Sequence, residues 1–142
     1  MVSNVGVIGA GQMGAGIAQV CAAIGKKVIL CDIKQEFVDK GIQTITRNLE
    51  RSVSKERIDE TDMKNTLGNV NTTLELSDLS NCDIIIEAIV ENMDIKKKLF
   101  SDLGHICNDN TILASNTSSI PIGILAKASG RSEKVVGMHF MN

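Results

Sequence analysis

The sequence predicts an α/β fold, with a doubly wound, mainly parallel sheet that is covered by helices on both faces. Short, continuously apolar segments alternate with longer segments in which apolar residues recur every three or four positions. The stretches between successive apolar runs are too long for hairpins, so the predicted strands are joined by helical crossovers. Continuously apolar strands separated by amphipathic helices are typical of parallel sheets that are buried on both faces.

Five strands and five helices follow from this alternation. The predicted strands cover residues 4–9, 27–31, 84–88, 111–115 and 135–139. The three long helices are each predicted to bury one apolar stripe, formed by Met13, Ile17, Val20, Cys21 and Ile24, by Val38, Ile42, Ile45, Leu49 and Val53, and by Ile95, Leu99, Leu103 and Ile106. A shorter helix is predicted at residues 61–67, and Pro121 suits the first turn of the last helix.

The composition excludes several classes of function. With 142 residues, of which 43% are hydrophobic, the chain has room for one domain with a substantial core. The net charge of −2 and the lack of Trp and Tyr argue against nucleic-acid and membrane partners. The apolar N-terminal stretch has no basic start and contains five glycines, so we predict neither a signal peptide nor a membrane segment. Four cysteines without metal or redox spacing predict reduced thiols, no metal site and a cytoplasmic protein.

A glycine-rich loop joins the first strand to the first helix, and it reads Gly9-Ala10-Gly11-Gln12-Met13-Gly14. Gly9 allows the tight turn, Gly11 lets the backbone approach a diphosphate, and Gly14 lets the helix pack closely on the strand. The diphosphate would lie on the free N–H groups at the start of the helix, near Gln12 and Met13. This context predicts a Rossmann-type dinucleotide-binding domain.

Asp32 closes the second strand about twenty residues beyond the middle glycine, where a ribose-binding acid is expected. A carboxylate there accepts hydrogen bonds from both ribose hydroxyls and repels a 2′-phosphate, which favours NAD over NADP, although Lys34 softens the repulsion. The alternative is that Asp32 caps the following helix. At this point the loop and the acid are also compatible with an FAD enzyme or with a β-hydroxyacid dehydrogenase, whose loop also carries a Met-Gly pair.

Three segments of the second half narrow the choice, because all are predicted at carboxyl ends of strands, where such sheets bind ligands. They are residues 86–98, residues 114–119 (Ala-Ser-Asn-Thr-Ser-Ser) and residues 137–142 (Gly-Met-His-Phe-Met-Asn). With the glycine loop, they make the whole chain resemble the 3-hydroxyacyl-CoA dehydrogenases, and it is most similar to the bacterial 3-hydroxybutyryl-CoA dehydrogenases. Met141 departs from the family, which usually has a second Phe at that position.

The resemblance implies reversible hydride transfer between C3 of a 3-hydroxyacyl-CoA and NAD. It implies that His139 is the general base and that Ser118 hydrogen-bonds the reacting oxygen. It further implies that Glu91, Lys96 and Asn142 lie at the nicotinamide end of the cofactor. From the residues alone, His139 and Ser118 read as a structural histidine and a helix cap. On the same basis Glu91 reads as a charge at a helix start and Lys96 as part of a solvated triple-lysine face.

An acyl-CoA substrate has a possible docking surface on the second helix. Lys40, Arg47, Arg51 and Lys55 form a basic stripe opposite the apolar face, and CoA carries a diphosphate and a 3′-phosphate. The alternative is an ordinary solvated face.

The family resemblance also predicts the domain organisation. Residues 1–142 would be the NAD-binding domain, and the family's helical C-terminal domain, which closes the substrate site and makes a homo-oligomer, would be absent from this chain. We therefore expect the chain to bind NAD(H) with little or no turnover. A stand-alone NAD(H)-binding sensor and a structural relative without catalysis are the competing readings.

Overall fold

The computed structural model describes residues 1–140, which form one parallel sheet flanked by helices. The strands are β1 (Asn4–Ile8), β2 (Lys27–Cys31), β3 (Val70–Thr73), β4 (Ile84–Glu87), β5 (Ile112–Ser115) and β6 (Val135–Gly137). The α-helices are α1 (Gln12–Ala23), α2 (Gln35–Ser54), α3 (Glu60–Gly68), α4 (Met93–Ile106) and α5 (Ile122–Ser129). Short 3₁₀ turns at Leu76–Leu79 and Ser132–Lys134 complete the chain order.

The sheet has the order β3-β2-β1-β4-β5-β6, and every pairing is parallel. Strands β1, β2 and β3 lie in succession from the middle of the sheet to one edge, and β4 then pairs with the other side of β1. Val7 is therefore flanked by Leu30 of β2 and by Ile86 of β4. This confirms the predicted doubly wound fold, and it opens a crevice at the carboxyl ends of β1 and β4, where the chain direction switches.

The edge strand β3 was not predicted from the sequence. Its residues, Val-Asn-Thr-Thr, include only one apolar side chain, and Asn71 and Thr72 are exposed. An edge strand pairs on one side only and needs no continuous apolar run. The last strand is also shorter than predicted, because β6 ends at Gly137 and leaves His139 beyond it.

Two of the predicted apolar stripes are partly wrong. On α1, Val20 and Ile24 are 56% and 69% exposed, because the helix turns its small residues toward the sheet, where they allow a close approach. On α4, Ile95 is 50% exposed, whereas Lys96 and Phe100 are fully buried. The buried Lys96 faces carboxylates rather than solvent, as its contacts below explain.

Two hydrophobic clusters cover the faces of the sheet, one with side chains of α1 and α2 and one with side chains of α4 and α5. Helices α4 and α5 touch at Gly104, where a Cβ atom would lie 1.9 Å from the carbonyl oxygen of Ser129. The Arg131 guanidinium donates to the carbonyls of Gly104 (2.8 Å) and Cys107 (2.9 Å) at the end of α4. Within residues 1–140, we find no helix with the length and apolar character needed to cross a bilayer.

Candidate cofactor and active site

The glycine loop is shaped by two close backbone approaches. Gly9 has a φ of +105°, and a Cβ atom there would lie 2.5 Å from the carbonyl oxygen of Ala88. A Cβ atom on Gly14 would lie 1.6 Å from the carbonyl oxygen of Gly9. Both positions therefore require glycine because the loop, β4 and α1 pack backbone against backbone.

Gly11 differs from these two glycines, because a Cβ atom there would meet no other protein atom within 4 Å. It precedes α1, which begins at Gln12, and the first turn of α1 has neither a side-chain cap nor an acidic residue. Gln12 is exposed and Met13 is half-buried. The free N–H groups and the positive end of the helix dipole thus remain available to an anion, and the missing Cβ leaves space for one.

Asp32 holds the glycine loop against the end of β2. Its carboxylate accepts hydrogen bonds from the backbone N–H of Ala10 (2.8 Å) and of Ile33 (2.7 Å). It does not cap α2, because Lys34 is the N-cap residue and no side chain caps that helix. The Lys34 ammonium lies 5.6 Å from the centre of the Phe37 ring.

A cleft of about 930 Å³ lies at the carboxyl ends of β1 and β4. The glycine loop and Asp32 form one wall, and an apolar wall is contributed by Ile33, Leu74, Leu76, Ile95 and Leu99. An apolar wall beside the Asp32 carboxylate suits an adenosine moiety. The sequence interpretation missed the two leucines because they follow the unrecognised strand β3.

The basic stripe of α2 borders the same cleft. Lys40, Arg47 and Arg51 line it, whereas Lys55 does not. In residues 1–140 none of these cations has a carboxylate oxygen within 4.0 Å, so no carboxylate there neutralises their charge.

Lys96 is fully buried, so the alternative that it belongs to a solvated lysine face is wrong. Its ammonium lies 2.9 Å from Oε2 of Glu87, which is also fully buried at the end of β4. The Glu87 carboxylate also accepts hydrogen bonds from the Ser115 hydroxyl and from the backbone N–H of Ile89. A buried charge of this kind requires such partners. The sequence interpretation missed Glu87 and Ser115 because each lies in an apolar strand.

Glu91 lies at the end of this network and is 39% exposed. It precedes Asn92, the N-cap of α4, so it is not a first-turn helix charge. It binds the Lys96 ammonium at 2.5 Å, and its other oxygen accepts from the hydroxyls of Thr117 (2.8 Å) and Ser119 (2.6 Å). Burial raises the pKa of Glu91, but the hydrogen bonds from Lys96, Ser119 and Thr117 and the Lys96 charge outweigh it and lower the pKa to about 2.

Ser118 lies in the loop that Glu91 holds from both sides. The Thr117 hydroxyl also accepts from the backbone N–H of Ile120 at 3.1 Å, which closes the loop as a turn. Helix α5 has Pro121 as its N-cap residue and no side-chain cap, so Ser118 is not a helix cap. Its side chain is exposed and free to meet a ligand.

His139 follows β6 at the same edge of the sheet and is exposed, which is not the environment of a buried structural histidine. The backbone on either side of it is held, because the N–H of Met138 donates to the Ser115 carbonyl (3.0 Å) and the N–H of Phe140 donates to Asn116 Oδ1 (2.9 Å). Since β5 and β6 are neighbours, the loop with Ser118 and the segment with His139 leave the sheet side by side. Asn142 lies outside the described residues.

The sequence model of the family described as "3-hydroxyacyl-CoA dehydrogenase, NAD binding domain" matches residues 4–142. The chain belongs to this family. The match decides between the NAD and FAD readings of the glycine loop, and it makes the chain an NAD-binding domain. In residues 1–140 we find no group of three or more His, Cys, Asp or Glu side chains that could hold a metal ion.

Similar proteins and structures carry related names. A probable 3-hydroxybutyryl-CoA dehydrogenase of Deinococcus radiodurans is 53% identical over 138 residues, which are 96% of this chain and 49% of that protein. The 3-hydroxybutyryl-CoA dehydrogenase of Bradyrhizobium diazoefficiens is 43% identical over all of this chain and 48% of its own length. The crystal structure of (S)-3-hydroxybutyryl-CoA dehydrogenase from Ralstonia eutropha superposes with a TM-score of 0.97 at 42% identity, covering 100% of this chain and 50% of that one. This NAD-binding domain therefore spans about half the length of its relatives.

Proposed function

We propose that this domain serves an NAD-dependent dehydrogenase that interconverts 3-hydroxyacyl-CoA and 3-oxoacyl-CoA, with 3-hydroxybutyryl-CoA and acetoacetyl-CoA as the expected pair. The observation that carries the proposal is the placement of exposed Ser118 and His139 on neighbouring strand ends of an NAD-binding domain. The names of two relatives, which match 96% and 100% of this chain, support the same reaction.

The fit of the cofactor rests on the glycine loop and Asp32. The unfilled space at Gly11 and the uncapped start of α1 suit the diphosphate, and the Asp32 carboxylate suits ribose hydroxyls. When bound, NAD supplies the acceptor for the hydride that leaves C3. Among the residues placed at the nicotinamide end, Glu91 is accessible, whereas buried Lys96 acts on that end through Glu91.

His139 is the proposed general base. In the oxidative direction its imidazole takes the C3 hydroxyl proton as the C3–H bond breaks and a C3 carbonyl forms, and bound NAD⁺ would accept the hydrogen with its electron pair. The products are then the 3-oxoacyl-CoA, NADH and a protonated His139. Histidine is the side chain that most often transfers protons in catalysis, and the Ser118 hydroxyl donates a hydrogen bond to the reacting oxygen.

The acyl-CoA partner is supported by the basic side of the cleft. Lys40, Arg47 and Arg51 present three unpaired positive charges beside the dinucleotide site, and a CoA diphosphate and 3′-phosphate would neutralise them. The four free cysteines agree with a proposed cytoplasmic location. A homo-oligomeric whole protein stays a prediction from the family resemblance.

The chain alone is proposed to bind NAD(H) with little or no turnover. Within residues 1–140 no carboxylate oxygen lies within 4.0 Å of His139, so its protonated form lacks the acidic partner that stabilises such a charge.

Titration of the chain with NADH, followed by NADH fluorescence, tests cofactor binding against a low background because Trp and Tyr are lacking. The loss of NADH absorbance with acetoacetyl-CoA tests turnover. We expect saturable binding and a rate about 1,000-fold or more below that of a complete dehydrogenase of the family. Absence of NADH binding, or turnover at the rate of the complete enzyme, would contradict the proposal.

A further inference from the structure

The side chain of Asn116 joins the two segments that carry Ser118 and His139. Asn116 directly follows β5, and its backbone N–H donates to the Glu87 carbonyl of β4 at 2.9 Å. Its side-chain oxygen accepts the N–H of Phe140 at 2.9 Å, across 24 residues of chain. Asn116 is half-buried, so the hydrogen bond is partly shielded from water.

This side-chain bond replaces a missing step of the sheet ladder. The last main-chain bond between β5 and β6 runs from the Met138 N–H to the Ser115 carbonyl at 3.0 Å. In a parallel ladder the next donor on β6, Phe140, would bond to a carbonyl two residues further along β5. The chain has already turned away there, because residues 116–120 form the loop that holds Ser118. The Asn116 side chain therefore bonds the segment after β6 as far as Phe140, two residues beyond the last main-chain bond between β5 and the β6 segment.

The two bonds also fix the direction in which His139 points. Met138 and Phe140 are half-buried and pack on the cluster beneath α1 and α2, whereas His139, between them, is exposed. Alternation of side chains along extended backbone requires His139 to face away from that cluster as long as both neighbours are held. If the Phe140 bond were lost, only the Met138 bond would remain to set this direction.

Asn116 is equally tied to the loop on its other side. The next residues, Thr117 and Ser119, donate to Glu91, which the buried Lys96 holds. The loop with Ser118 is thus tied to α4 through Glu91 and Lys96, and Asn116 ties the segment with His139 to that loop.

We propose that Asn116 is a positioning residue that sets the His139 backbone relative to the Ser118 loop. The proposal rests on the proposed function, in which both side chains act on one substrate oxygen. Asn116 itself contacts neither the substrate nor the cofactor in this scheme, and it acts through the Phe140 N–H.

The test compares Asn116→Ala, Asn116→Asp and a control, Asn108→Ala, in the whole chain. Asn108 also uses its side-chain amide, toward Asn81 at 3.0 Å, but it is exposed and lies before β5 rather than after it. Amide hydrogen exchange of Phe140 and the imidazole resonances of His139 are the readouts, and His105, the only other histidine, is the internal reference.

We expect Asn116→Ala to speed the exchange of the Phe140 amide about tenfold, the effect of losing one hydrogen bond, and to shift the His139 resonances while those of His105 stay in place. Asn116→Asp keeps an acceptor oxygen and should retain the protection, and Asn108→Ala should change neither readout. Unchanged Phe140 exchange in Asn116→Ala, or equal loss in the Ala and Asp variants, would overturn the proposal.

A measurement on the unmodified chain keeps the proposal falsifiable if Asn116→Ala does not fold. NMR scalar coupling across the hydrogen bond, between the Phe140 amide nitrogen and the Asn116 side-chain carbonyl carbon, should be detectable, and its absence would overturn the proposal. NADH affinity should stay within about twofold in all variants, because none of the substituted side chains lines the cleft. A failure of the unmodified chain to bind NADH would instead remove the proposed function and leave the exchange result standing.

Discussion

The ammonium of Lys96 and the carboxylate of Glu87 form an ion pair at 2.9 Å with no exposure of either side chain to solvent. The pair links the first turns of α4 to the end of β4, and it continues through Glu91 to the loop after β5. Because Lys96 serves two carboxylates, the cluster keeps one net negative charge, part of which lies at the exposed Glu91 carboxylate.

Replacing Lys96 by Met should destabilise the domain by about 3–5 kcal/mol, since it leaves the buried Glu87 charge without its partner. The matched control is Lys98→Met, in which the lysine is 78% exposed and pairs with Asp102 one turn along α4. That change should cost less than about 0.5 kcal/mol. Urea unfolding followed by circular dichroism measures both, and equal losses in the two variants would show that the buried pair has no special weight.

The pH dependence of stability should carry the signature of Glu91. Its folded-state pKa of about 2 lies below its ordinary value of 4.5, so its stabilising effect is fully present above pH 4.5 and is lost as the pH falls toward about 2. Because the side chain is 39% exposed, solvent screening reduces the effect to about 1 kcal/mol. The difference in unfolding free energy between the unmodified chain and Glu91→Gln should therefore shrink from about pH 6 to about pH 3. A difference that grows toward acid would have the wrong sign and exclude this origin.

The sequence predicted those parts of the molecule that depend on neighbours along the chain. The glycine loop, Asp32 and the alternation of strands and helices all follow from local patterns of apolar and turn residues. Strand β3 was not predicted, because a strand that pairs on one side only needs no apolar run and Val-Asn-Thr-Thr contains none. Because β3 was not predicted, Leu74 and Leu76, which follow it and line the cleft, were not recognised as site residues either.

The burial of Lys96 could not be predicted for a different reason. Three consecutive lysines on an amphipathic helix are normally solvated. That the first of them faces Glu87 follows only from the way α4 packs beside β4. Glu87 and Ser115 lie on different strands, 28 residues apart, and meet because those strands are neighbours. Residue types alone could not have paired them. The roles assigned to Ser118, His139 and Glu91 stay predictions, although hydrogen bonds hold Ser119 and Phe140, the neighbours of Ser118 and His139, in place.

Gly11→Ala should weaken NADH binding about tenfold or more without lowering stability. The added Cβ meets no protein atom within 4 Å, so it fills space that the cofactor diphosphate needs without displacing protein atoms. Gly16→Ala is the matched control, because a Cβ there is equally free of contacts but lies inside α1. It should leave NADH affinity unchanged and add up to about 1 kcal/mol of stability through helix propensity. NADH fluorescence titration and urea unfolding give both quantities, and equal NADH affinity in the two variants would place the diphosphate elsewhere.

Asp32→Asn should weaken NADH binding and reduce the preference for NADH over NADPH. The Asp32 carboxylate accepts the Ala10 N–H with Oδ2 and the Ile33 N–H with Oδ1, and in an amide only one of these two positions is an acceptor oxygen. Its NH₂ group must then face the other N–H group, which loosens the tie between the glycine loop and β2. Loss of the negative charge also removes repulsion of a 2′-phosphate, so NADPH should lose less affinity than NADH.

The control for this change is Asp39→Asn, at an exposed carboxylate that accepts only from the Gln35 side chain on α2. That variant should bind NADH and NADPH as the unmodified chain does. We expect Asp32→Asn to weaken NADH about tenfold, consistent with one lost charge-assisted hydrogen bond of about 1.5 kcal/mol. Parallel titrations with NADH and NADPH measure the ratio of dissociation constants. An unchanged ratio in Asp32→Asn would mean that the carboxylate braces the loop without discriminating between the two cofactors.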